Sequence, residues 1–169
     1  LDFREQKSED WRIRSGIFNI LPRLNALALG YAMTGNSEIG DFARDAMMAI
    51  IEDGLADVKS KAWGTKTEGW RHGAGHDKGK FSMTIALLYD FCYDRFTEEH
   101  RERFLDYAVE TIKIGEESHD IDLAQIQNNR GVRGILGRTF LRLACAGDIQ
   151  FDNPVLSEQR ITQGLSAAE

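Results

Sequence analysis

Apolar residues recur in this chain at spacings of three and four, and no stretch shows a convincing period of two. Helices are what such a chain can build, with strands absent or short. Only two prolines, Pro22 and Pro154, stand in the way of long helices. Ser8-Glu9-Asp10 reads as a helix start with acids in its first turn. Trp11, Ile13, Ile17 and Ile20 carry the spacing to Pro22, which either kinks that helix or begins a new one. Leu24, Leu27, Ala28, Tyr31 and Ala32 continue the apolar face to a C-cap at Gly35-Asn36. Ser37 then caps a helix that turns Ile39, Phe42, Ala43, Ala46, Met47, Ile50 and Ile51 inward. Phe81, Ile85, Leu88, Tyr89, Cys92 and Phe96 mark another. Thr97-Glu98-Glu99 caps the next, which buries Phe104, Leu105, Ala108, Val109 and Ile112 and closes at Gly115. A further helix follows Gln127, and Asn153-Pro154 opens a last one that runs to Ser166 or so. The pattern predicts an all-α fold of six or seven helices, antiparallel in pairs, with long loops at 59–77 and 116–125.

A chain of 169 residues makes one domain, or a piece of a larger one. Its apolar content of 42% and charged content of 28% suit a globular protein with a real core. The formal net charge of −6 argues against a nucleic-acid partner, which would call for a basic face. It leaves an anionic substrate open, because steering depends on the field inside a cleft. Cys92 and Cys145 sit in apolar helical patterns without metal-ligand spacing and read as small buried hydrophobes. No metal or cofactor is expected. No apolar run approaches the roughly 18 residues of a membrane span. No signal peptide opens the chain, and its first residue is Leu1 rather than Met, so a segment before it is expected to be missing.

The residues with most chemical promise lie in two stretches. Ile126 to Arg142 opens on the paired amides Asn128 and Asn129. It continues into an apolar helical run with four arginines, among them Arg130 and Arg133, and no acid. Amides at a helix start either cap it or, together with its unpaired N–H groups, receive an anion. The other stretch, 59–77, combines four glycines with Trp63, Trp70, His72 and His76. Loops of that length inside a domain are usually functional or disordered. The tryptophans either line a site or anchor the loop, and the histidines either reach a cleft or sit on the surface. The i, i+4 spacing of His72 and His76 suits a metal pair only on a helix, which the glycines between them oppose. Tyr89 and Tyr93 are expected in the core with their hydroxyls tied to neighbours. Asp90 and Asp94 are expected to bond to Arg95 or to nearby helix ends.

Three stretches point to a known family. Ile85 to Arg101, with Tyr89-Asp90-Phe91-Cys92-Tyr93-Asp94 and Thr97-Glu98-Glu99-His100-Arg101, resembles a helix–turn–helix of heparinase II/III-like and related alginate lyases. Tyr31-Ala32-Met33-Thr34-Gly35-Asn36 is similar to their recurring helix end, and Gln127-Asn128-Asn129-Arg130-Gly131 to the segment that opens the helix carrying an active-site asparagine. The resemblance covers about residues 24–147. It implies an incomplete (α/α) toroid, of which this chain is the N-terminal half, and a secreted or periplasmic location. The chain departs from the family in two ways. Some members carry a catalytic histidine straight after the asparagines, where this chain has Arg130. The family toroid also runs over more helices and commonly continues into a β-sandwich, so the family's catalytic tyrosine is expected to lie outside this chain.

What the resemblance implies is a polysaccharide lyase acting on an acidic, uronic-acid-containing polysaccharide by β-elimination. Asn128 or Asn129 would neutralise the uronate carboxylate, with Arg130 or Arg133 as charged partner. His72 and His76 are the candidates for base and acid, and Trp63 and Trp70 for stacking on sugar rings. A glycoside hydrolase on the same toroid is the alternative, with Asp77 and Asp120 as its carboxylates. A non-catalytic carbohydrate-binding or scaffold domain is the third reading. A half-toroid would also leave an apolar flank, from which a homodimer is expected.

Overall fold

A computed structural model describes residues 10–60, 76–117 and 129–148, with isolated helical positions at 162 and 166. The described residues are all-helical: α1 (Asp10–Thr34), α2 (Ser37–Ser60), α3 (His76–Phe91), a 3-10 turn (Tyr93–Arg95), α4 (Glu98–Glu117) and α5 (Asn129–Cys145). Helix runs through Ser60 and resumes at His76, so the two ends of the loop expected at 59–77 are helical, and its interior lies outside the described residues. The last helix expected from Asn153 lies almost wholly outside the described residues.

Helix ends follow local hydrogen-bond chemistry. Gly35 takes a φ of +62°, which ends α1 at no steric cost. Asn36, not the expected Ser37, caps α2: its Oδ1 accepts the Glu38 N–H at 2.9 Å. Thr97 caps α4 as expected, and reciprocally. Its Oγ1 accepts the His100 N–H, while His100 Nδ1 accepts the Thr97 N–H, both at 3.3 Å. Pro22 does not divide α1. The buried row of Leu21, Leu24, Ala28 and Tyr31 continues past it, and Pro22 itself is exposed. Gly115 does not close α4, which runs on to Glu117. A helix-interior glycine costs only about 1 kcal/mol, too little to end a helix whose other residues favour it.

Helical spacing identified nearly all of the core. Phe81, Ile85, Leu88, Tyr89, Cys92 and Phe96 are buried, as are Phe104, Ala108 and Ile112. Tyr89 stacks on Phe104 with centroids 3.8 Å apart. Phe42 and Ala32, expected inside, are exposed, because each lies at the edge of its helix's apolar stripe. Tyr107 and Thr111 are buried on α4, where the sequence reading had not put them.

The helices form two layers. α3 packs between α1 and α5, while α2 packs on α4. Gly79 and Ser82 of α3 meet Arg133 and Gly137 of α5, and Tyr89 reaches Asp148 just past its end, so α3 and α5 run parallel. α1 runs with α3: Leu21 and Lys80 share a cavity, and Tyr31 reaches Asp94. In the other layer, Glu52 of α2 meets Arg103 of α4, and Asp41 meets Arg95 just before it. The short turns at 35–36 and 92–97 therefore lie at one end of both layers. The starts of α3 and α5 lie at the other.

Candidate functional site

The long connecting segments both leave and re-enter at that second end, from α2 into α3 and from α4 into α5. Four of the chemistry-bearing residues of the sequence, His76, Asn129, Arg130 and Arg133, lie in the helix starts at that end. His76 is the first residue of α3, and Asn129 and Arg130 are the first two of α5. One turn further on, the two backbones are in direct contact. A Cβ added at Gly79 would stand 2.0 Å from the Arg133 carbonyl oxygen, and one at Gly137 would stand 2.7 Å from that of Gly79. Only glycine allows this approach. It sets the first turns of α3 and α5 side by side.

Of the sequence candidates, the structure thus brings together the backbones of His76, Asn129, Arg130 and Arg133. Arg133 is half-buried. Trp63, Trp70, His72, Asn128 and Asp120 lie outside the described residues, and so do the side chains of His76, Asp77, Asn129 and Arg130. Further along α5 the arginine series turns inward, with Arg138 half-buried and Arg142 only 4% exposed. Beside it Thr139 is fully buried, and its Oγ1 has no hydrogen-bond partner.

A second polar cluster forms at the opposite end. The Tyr89 hydroxyl donates to Asp148 Oδ2 at 2.5 Å, and the Tyr93 hydroxyl donates to Asp148 Oδ1. Arg101 donates to the Tyr93 oxygen at 3.0 Å, with its guanidinium 4.8 Å from that ring's centroid. Burial, and then the Asp148 carboxylate, push the Tyr89 hydroxyl well above its ordinary range, which keeps it a donor. The tied hydroxyls were expected, but their partner was not. A similar pair joins the previous hairpin: Tyr31 donates to Asp94 at 2.5 Å. Asp94 and Asp148 each stand three residues beyond a helix of the α1–α3–α5 layer, α3 ending at Phe91 and α5 at Cys145.

Arg95 corrects the expectation for Asp90 and Asp94. It forks onto Asp41 of α2 at 2.9 and 3.0 Å. Asp94 takes the tyrosine, and Asp90 is exposed. This end of the molecule is a clamp between hairpins, built from the Tyr31–Asp94, Arg95–Asp41 and Tyr89–Asp148 pairs. No helix among the described residues is long and apolar enough to cross a membrane. Compared with family models, curated proteins and solved structures, the chain matches none.

Proposed function

We propose that this chain is part of a polysaccharide lyase that cleaves a uronic-acid-containing polymer by β-elimination, on an (α/α) toroid. The observation that carries the reading is the adjacency of the first turns of α3 and α5, where His76 and the Asn129-Arg130 pair belong. Parallel α1, α3 and α5 backed by parallel α2 and α4 are also what successive hairpins of a toroid require, although other helical-hairpin arrays share the arrangement.

The chemistry asks for two things in one place. The proton to be removed sits on the carbon bearing the carboxylate, so that carboxylate must be relieved of charge before a carbanion can form beside it. An amide N–H from Asn128 or Asn129, with Arg130 or Arg133 beside it, would stabilise the enolate that develops. A base must then take the proton while the glycosidic oxygen on the neighbouring carbon leaves and is protonated in turn. His72 and His76 are the residues for that exchange, and Trp63 and Trp70 supply faces for the sugar rings. A polymer of this kind suits a secreted or periplasmic protein.

The test distinguishes a donor from a cap. A cap needs only an oxygen acceptor, so aspartate would serve at a helix start. A neutraliser needs the N–H, and aspartate would set a second negative charge against the substrate. Loss of one such donor typically costs about 3 kcal/mol of transition-state stabilisation, a hundredfold or more in rate. Asn128→Asp and Asn129→Asp are to be made in this chain and in any longer chain that contains it, and followed by the absorbance of the unsaturated uronate product. One of the two, with Asn129 favoured because it adjoins Arg130, is expected to fold normally and lose nearly all turnover. Activity within a few-fold in both would return the asparagines to capping. Reducing ends without that absorbance would indicate the hydrolase instead.

A further inference from the structure

α1 packs against α2 on one side and α3 on the other, and among its described side chains an apolar stripe is left exposed. Pro22, Ala26, Leu29 and Met33 form that stripe at spacings of four, three and four, the seam spacing of paired helices. All four are exposed, Leu29 at 51% and Met33 at 77%. At the Pro22 end of this stripe lies a cavity of about 300 Å³ between α1 and α3, walled by Leu21, Pro22, Met83 and Leu87 with Asn25, Lys80 and Thr84 at its polar side. One stripe therefore carries both a protruding, adaptable apolar side chain and a mainly apolar hole, about 16 Å apart along the helix.

That pairing is self-complementary. With two α1 helices antiparallel about a two-fold axis midway between Ala26 and Leu29, Met33 of each copy meets the cavity of the other. Leu29 then meets the partner's Ala26. The charges agree with the same axis. Arg23 and Lys80 stand at the cavity end, and the exposed acids Glu38 and Asp90 stand nearer the Met33 end, so the antiparallel pairing brings basic ends level with acidic ones. An isologous contact of this kind closes at two copies.

We propose that the chain forms a two-fold dimer through α1, with Met33 of each copy seated in the α1–α3 cavity of the other. This holds whether or not the chain is a lyase. The test is sedimentation equilibrium of the whole chain over a hundredfold range of concentration. The wild type is expected to approach twice the 19.1 kDa mass of the chain at the top of the range. Met33→Glu is expected to stay monomeric throughout, with unchanged helicity and an unchanged melting temperature in dilute solution, since the side chain touches little within its own copy. Leu143→Glu, on an apolar residue of α5 that is 44% exposed and far from this stripe, should leave the dimer intact. A wild type that is monomeric at every concentration overturns the proposal, as does a dimer that Met33→Glu does not weaken. A monomer that binds an apolar dye in a Met33-dependent way would give the stripe to a different partner, and would equally overturn it.

Discussion

Tyr89 is fully buried with its ring on Phe104, and its hydroxyl reaches Asp148, a residue from a different hairpin, in the polar cluster at the turn end. Burial, more than any neighbour, raises both this hydroxyl and the nearby Cys92 thiol, the latter from 9.0 to about 11. The direction sets the pH dependence. Both groups are neutral, folded or unfolded, below the ordinary thiol value of 9.0, so their contribution is fully present there. Above it the unfolded chain releases protons that the folded chain keeps, and stability falls as pH rises. The melting temperature is expected to hold steady from neutral pH to about 8 and to drop between 9 and 11. A melting temperature that stays flat through that window would contradict this account of Tyr89 and Cys92. Sequence alone indicated that Tyr89 and Tyr93 needed partners. It did not reveal Asp148 or the Arg95–Asp41 pair, because helical periodicity tells which face is buried and not which distant residue faces it.

Among the elements, spacing and capping residues located each described helix, and the errors came where two local signals competed. Pro22 signals a break, but the buried row through Tyr31 outweighs one lost backbone hydrogen bond. Gly79 and Gly137 carry a different meaning from the other helical glycines, since they form the contact between α3 and α5 and nothing in the sequence marks them as a pair. Alanine favours a helix over glycine by about 1 kcal/mol, but here its methyl group meets backbone. Gly79→Ala and Gly137→Ala are each expected to destabilise the fold by about 2 kcal/mol or more in urea unfolding, as overpacking does. Gly147→Ala, with nothing within 4 Å of the added Cβ, serves as the control and should be close to neutral.

For the molecule as a whole, the all-α class and the antiparallel hairpins were legible, while the two-layer arrangement was not. The candidate site was legible in part. His76 and Asn129 begin neighbouring helices, and the residues between Ser60 and His76 lie outside the described structure. Among the described helices α3 alone has helices of its own layer on both sides, so its amides at 81–92 should exchange with solvent most slowly. Mass-resolved hydrogen exchange would check this, and slower exchange in α2 or α4 would count against the layering. The two flanks of α3 differ in kind. On the α5 side backbone rests on backbone at Gly79 and Gly137, and the Tyr89–Asp148 hydrogen bond ties the far end, so α3 and α5 travel as one rigid body. On the α1 side an unfilled space lies between the helices beside Leu21 and Leu87, while Tyr31 bonded to Asp94 pins their other end. Any shift at this boundary is therefore confined to the Leu21 end of α1, because the Tyr31–Asp94, Asp41–Arg95 and Glu52–Arg103 pairs hold the α1–α2 hairpin to its neighbours. Whatever fills the space beside Leu21 and Leu87 sets how far that shift can go.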